Sequence, residues 1–221
     1  GYFYKTNMDN YLRIEGHPIA FWASEKMLSA FENFPTVSEL AAPKQGLATA
    51  NNDLFLKLWF EPSFAKIGMG MHSCEEAYDS GYKWFPYNKG GAFRRWYGNR
   101  DYVVNWENDG YEIKNFKDKY GKVRSRPQNL GFYFRQGITW SDITSATFSG
   151  RYTENGFMFD IKGSSGFPEE DKIYYILGFL NSTVSQKCIK ILNPTITTQV
   201  GDMARIPVAF DSEKQSLVEE L

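Results

Sequence analysis

Residues 81–100, GYKWFPYNKGGAFRRWYGNR, hold five basic residues (Lys83, Lys89, Arg94, Arg95 and Arg100), no acidic residue and seven aromatic ones. Rings at this density must be absorbed by a sheet face or spread over a binding surface. Gly90-Gly91 interrupts the run where the backbone can turn with φ > 0 or lie close to a partner. Cations for phosphates, flat side chains for stacking and a bare glycine loop together suit a nucleic-acid surface. A strand–turn–strand hairpin with an aromatic core face and a solvated basic face satisfies the same pattern.

Whole-chain charge does not choose between these readings. Net charge is −1 over 221 residues, which argues against a general nucleic-acid binder. Residues 81–135, however, carry twelve Lys/Arg against five Asp/Glu, leaving −8 for the remainder. That is the pattern of one basic docking face on an otherwise acidic protein. With 42% hydrophobic and 17% aromatic residues, the chain can bury the core of one sizeable domain. No run of about 18 apolar residues is present to span a membrane. Cys74 and Cys188, far apart in sequence, fit free thiols in a reducing cytoplasm. His72-x-Cys74 lacks the second ligand pair of a zinc site, so no metal is expected.

Read in order, the patterns predict an α+β domain, with helical elements at both ends and a central, mostly antiparallel twisted sheet. Residues 1–17 have no period and read as a lead-in from upstream; the opening at Gly1 is taken as the cut end of a longer protein. A helix is expected over 18–33, with Ile19, Trp22, Leu28 and Phe31 near one face, and a short one over 36–42. The loop 44–49 leads through the capping residues Asn51-Asn52-Asp53 into a helix at 54–59, either as an anion-holding loop or as an ordinary connection. Further expectations are a strand at 102–106, a turn at Asn108-Asp109-Gly110 and a short helix at 112–119. A hairpin follows about Gln136-Gly137 within 131–140, then strands at 145–152 and 156–161. Helices at 169–180 and 183–192 come next, then short extended pieces over 195–210 and a last helix capped by Asp211 or Ser212.

The search for chemistry finds decoys. A Gly-x-Ser-x-Gly elbow is absent, and neither histidine lies near a candidate nucleophile. Gly68-Met69-Gly70 lacks the third glycine and the acidic residue of a dinucleotide site. Asp160, Glu170 and Lys172 follow the Asp…Glu-x-Lys order of magnesium-dependent nucleases, in which two carboxylates hold the metal and lysine assists the water. Here Glu170 and Lys172 open a helix, so their side chains diverge. Asn193-Pro194 is followed by Thr195-Ile196 rather than by the Pro-Tyr or Pro-Phe that holds an extruded adenine. The chain is therefore expected to be non-catalytic by itself.

Five strings carry a family resemblance: PKQGLATANNDLFLKLW (43–59), KWFPYNKGGAFRRWYGNRDYVVNWENDG (83–110), GITWSDIT (137–144), ILGFLNS (176–182) and ILNPTITTQVGDMARIPV (191–208). They resemble the C-terminal part of large bacterial adenine-specific DNA methyltransferases, among them phage-defence (BREX, PglX-like) enzymes and single-chain type II restriction–modification enzymes. The run through Gly-Asp to Ile-Pro-Val is similar to the closing segment of type I specificity-subunit recognition domains. The resemblance implies a target recognition domain over 18–210, which chooses the DNA sequence to be modified, with 211–221 beginning a following helix or spacer. It implies double-stranded DNA and an upstream methyltransferase core as partners. That core would hold S-adenosylmethionine, and magnesium if the parent also cleaves, in a cytoplasmic protein.

Base-reading positions differ among such domains, so candidate contacts rest on side-chain chemistry. Arg94, Arg95, Lys89 and Lys83 come first, arginine being able to read guanine in the major groove. Arg124, Arg126 and Lys44 suit phosphates. Gln45, Gln136 and Asn99 suit adenine. Tyr87, Arg100, Arg135 and the backbone at Gly90 and Gly91 complete the set. Trp84, Tyr87, Trp96 and Trp140 also read as packing residues that hold the loops. Two alternatives stay open: a nuclease using Asp160, Glu170 and Lys172, and a protein-interaction module whose basic loops are only solvated.

Overall fold

The two ends of the chain build one hydrophobic core together, and the aromatic middle builds another. The computed structural model describes residues 5–143 and 147–219. The start of the lead-in, the first residues of the strand expected at 145–152 and the end of the last helix lie outside these residues.

Capping residues decide where the N-terminal helices begin. After a short α1 (Asp9–Leu12), α2 (Glu25–Asn33) starts where Ser24 Oγ accepts the Met27 amide at 3.4 Å. The helix expected from residue 18 is thus confined to its second half, because a filled N-cap fixes the start. Thr36 and Glu39 form a capping box on α3 (Val37–Ala41). Asn51 caps α4 (Asn52–Phe55), which makes one turn and passes directly into β1 (Leu56–Leu58). Pairing of that segment with a neighbouring strand overrides the helix expected at 54–59.

The middle of the chain contributes α5 (Cys74–Asp79), β2 (Trp84–Asn88), β3 (Tyr102–Asn105) and α6 (Glu107–Lys114). Inside α6, Asn108, Asp109 and Gly110 all adopt left-handed φ of 53°, 56° and 68°, as the expected turn required. The helix expected at 112–119 ends at Lys114. Next come β4 (Gly137–Trp140), β5 (Gly150–Thr153), β6 (Met158–Phe159) and β7 (Ser165–Gly166). The C-terminal part holds α7 (Ile173–Leu180), α8 (Thr183–Leu192), α9 (Val200–Ala204) and α10 (Gln215–Glu219). Helix α8 occupies the span read from the sequence, behind an Ser182 cap. Helix α9 replaces part of the extended stretch expected at 195–210, through a Gln199–Asp202 capping box.

The strands form two open sheets, ordered β1-β3-β2-β6 and β5-β4-β7. All pairs are antiparallel except β2 with β6. No hairpin turns at Gln136-Gly137; β4 begins there and pairs with β5 and β7. Pro86 sits within β2 because its missing N–H falls in a gap. One side of β2 is met by Ile67 at Trp84 and by β6 only from Tyr87 onward.

The first core packs Leu47, Phe55, Phe85, Tyr87, Val104, Trp106, Phe134 and Phe159. Each such side chain contributes about 1.5–3 kcal/mol on burial. The second core packs Leu28 and Val37 from the N-terminal helices with Trp140, Ile176, Ile189, Met203 and Ile206. The two ends are stitched by Val37 N to Ile206 O (2.9 Å) and Val208 N to Pro35 O (2.8 Å). Among the described residues, no helix is long and apolar enough to cross a membrane.

Candidate nucleic-acid interface

The glycine pair uses its freedom internally. Gly90 (φ +84°) runs so close to the Lys162 backbone that a Cβ would lie 2.9 Å from its carbonyl oxygen. Gly91 N donates to Ser141 Oγ (3.0 Å), which donates back to Gly91 O (3.1 Å). From this anchor the chain leaves the body as a finger of residues 92–97. Asn99, itself buried, closes the base by donating Nδ2 to Ala92 O at 2.9 Å. On the returning limb, Trp96 N donates to Gly150 O (3.0 Å), and Tyr152 N donates to Trp96 O (2.9 Å), which fastens the finger to β5.

The base is fixed and the tip is bare. Phe93, Trp96 and Tyr97 are 46%, 53% and 62% exposed. Arg94 and Arg95 lie between them, exposed, and neither has a carboxylate at ion-pair distance among the described residues. Arg95 lies over the Phe93 ring (5.5 Å) and reaches Thr147 Oγ1 at 3.5 Å. The Arg94 stem packs over Gly98, where a Cβ would meet its Cδ at 2.6 Å.

A second cationic ridge lies across the sheet. Trp96 bridges β5, and Lys44 bridges Ser165 of β7, which extends the order to Trp96, β5, β4, β7, Lys44. The two segments therefore flank one sheet, four strand spacings or about 19 Å apart. Lys44 and Arg135 both lie 5.3 Å from the Phe132 ring. Asn129 Nδ2 donates to Gln45 O (2.8 Å), Gln128 Nε2 to Gly46 O (3.3 Å), and exposed Arg126 pairs its backbone with Ala48. Lys44, Gln45, Gln128, Asn129 and Gln199 line a shallow cavity of about 380 Å³ here.

The other predicted residues are engaged within the fold. Tyr87 is 0% exposed, its hydroxyl 2.9 Å from both Asp160 Oδ2 and Leu47 O, so it is a core residue and not a surface contact. Asn99 is likewise corrected to a loop-closing residue. Lys83 pairs with Glu107 (2.7 Å) and Glu112 (3.9 Å). Lys89 lies 4.5 Å from the Tyr102 ring. Arg100 is ion-paired with Glu154 and stacked between Tyr97 (3.9 Å) and Phe157 (5.0 Å). Arg124 reaches Asp118 at 4.0 Å, and the Gln136 side chain accepts from Tyr152 Oη at 3.4 Å. Trp84 and Trp140 pack as expected, whereas Trp96 is a surface ring. The rings of Phe93, Trp96 and Tyr97, read from the sequence as stacking candidates of the segment, and the amides Gln128 and Asn129, not singled out there, lie beside these cations; Gln-Asn directly after Pro127 was the available signal for the amides.

Buried ionisable groups serve the frame. Asp160 accepts from Tyr87 and from Lys162 N, and burial raises its pKa. Burial pushes Asp142 up to about 6 and lowers Arg151 to about 10. Lys172 pairs with Glu169 and lies near Phe210 (5.8 Å), away from the partners that hold Asp160. Cys74 is pushed up to about 11 by burial, and among the described residues no cluster of three metal-ligating side chains forms. Gly46 and Gly68 make no open cradle: a Cβ would meet Phe159 O at 1.8 Å and the Phe85 ring at 2.5 Å, respectively.

No protein-family model matches the chain. It is similar along nearly its whole length to two curated proteins. The adenine-specific methyltransferase PglX of Lacticaseibacillus casei (strain Zhang) is 41% identical over 217 residues, which cover 97% of this chain and 18% of that protein. The adenine-specific methyltransferase BrxX of Escherichia coli O9:H4 (strain HS) is 33% identical over 225 residues, 99% of this chain and 17% of that protein. The chain thus spans less than a fifth of the curated relatives it matches.

Proposed function

We propose that this chain is the target-recognition module of a larger adenine-specific DNA methyltransferase in phage defence or restriction–modification. It binds duplex DNA by sequence and positions a methyltransferase core elsewhere in the same protein; it carries no chemistry of its own. The finger of residues 92–97 carries this reading. It presents two arginines with no carboxylate at ion-pair distance among the described residues, between three exposed rings, on a base held by Asn99 and by backbone hydrogen bonds to β5. Burying exposed aromatic surface and unpaired guanidinium groups against DNA releases counterions and permits base-edge contacts in a groove. The Lys44–Arg126–Arg135 ridge supplies a second set of phosphate contacts across the sheet. Similarity to the methyltransferases PglX and BrxX supports this reading of the parent protein.

Rounds of selection from a random duplex pool at two salt concentrations test it. The expected result is enrichment of one short motif, affinity that falls steeply with salt, and loss of enrichment in Arg94→Ala/Arg95→Ala. Absence of duplex binding even at low salt would remove the proposal.

A further inference from the structure

Beside the finger, on the outer face of the first sheet, lies an aromatic basin of about 280 Å³. Its floor is Val103, Pro86 and Ile67, and its walls are Trp59, Phe64, Met69, Tyr97 and Phe157. Phe64 is 69% exposed, and Trp59 and Met69 are more than half exposed, an unusual amount of bare apolar surface for one place. The rim is polar. Arg100 and Glu154, paired through Glu154 Oε1, both line it, and no bond to Glu154 Oε2 is formed among the described residues.

We infer that this basin takes an unstacked nucleobase bearing an exocyclic amino group, drawn from the DNA that the finger engages. The inference rests on the DNA-reading role proposed above. Three observations favour a base over a broad protein surface. The cavity is the size of a planar fragment rather than of an interface. Tyr97 is both a wall of the basin and part of the finger, so DNA held by Arg94 and Arg95 runs past the opening. The rim offers the second oxygen of the ion-paired Glu154 carboxylate as an acceptor for an amino N–H, while rings supply stacking. Adenine, cytosine and guanine carry such an amino group; thymine carries carbonyls and a methyl instead.

The test uses the whole chain and two separate readouts. Quenching of tryptophan emission by dAMP, dCMP and dTMP reads the basin, and fluorescence anisotropy of a labelled duplex reads the finger. Saturable binding of dAMP and dCMP, with dTMP weaker by about tenfold, is expected. Phe64→Ala, at an exposed position that leaves both cores intact, weakens dAMP by about tenfold through lost stacking. Glu154→Gln brings dAMP and dTMP to parity. Duplex binding that needs Arg94 and Arg95, with no nucleotide saturation, overturns the basin and keeps the DNA reading. Nucleotide binding without duplex affinity keeps the basin as a nucleotide site and overturns both the DNA reading and the claim that its base comes from that duplex. A dimer in sedimentation that Phe64→Ala disperses, with no nucleotide bound, overturns the inference and assigns the face to protein.

Discussion

The two halves of residues 81–100 share a composition and have opposite fates. All five residues of β2 are buried, and every residue from 92 to 97 is exposed. Strand β2 has neighbours on both sides, β3 on one and Ile67 followed by β6 on the other. Among the described residues, the backbone of the finger bridges a strand at Trp96 alone. A ring flanked by paired backbone on both sides has nowhere to go but the core. The same ring on a loop bridged to one strand at a single residue stays in water unless something else covers it. Aromatic and basic density therefore marks a region, while the pairing of the backbone decides which part of it is free to bind.

Phe85→Ala gives the largest effect and should confine it to stability. A cavity beside Phe134 is expected to cost about 3–5 kcal/mol in urea unfolding. Arg94→Ala/Arg95→Ala should do the reverse: stability within about 0.5 kcal/mol, and duplex affinity lower by roughly 100-fold. If both variants lose both properties, the division between the two halves is wrong.

Asp142 carries the next effect, and its sign is fixed by linkage. Folding raises it to about 6, above the ~3.9 of an unfolded aspartate. Between those values the folded chain keeps a proton that the unfolded chain has lost, so stability falls as pH rises through 4–6 and then levels off. Asp160, raised by burial too, acts in the same direction. Asp142→Asn should flatten the dependence by up to about 3 kcal/mol between pH 4 and 7, measured as the urea midpoint at both ends. An unchanged slope would place the titration elsewhere.

Gly90→Ala probes the hinge between the halves. A Cβ at φ +84° and 2.9 Å from Lys162 O should cost about 1–3 kcal/mol in thermal unfolding. A neutral result would mean that the finger root is not held against Lys162. The smallest effect is expected for Lys83→Ala, whose partners Glu107 and Glu112 are partly solvated. It should cost no more than about 1 kcal/mol and leave duplex affinity unchanged, since that lysine is already paired. A drop in affinity would extend the reading surface back into the buried half.

What the sequence determined by itself was local. The α+β class, helix α8 between Ser182 and Asn193, the capping box at Thr36, the turn at Asn108-Asp109-Gly110 and the basic-aromatic segment are all written in neighbouring residues. Caps, turns and apolar periods act over a few positions and can be read one window at a time. Tertiary structure decided the rest. It divided the strands between two sheets, converted residues 56–58 from helix to strand, and made helix α9 where extended chain was expected. It also chose among the cations, since whether Lys83 or Arg94 is free depends on carboxylates such as Glu107, 24 positions away. It set the finger and the Lys44 ridge at opposite edges of one sheet through bridges to β5 and β7. Pairings at that separation are settled by which surfaces the fold brings together, and no local pattern records them.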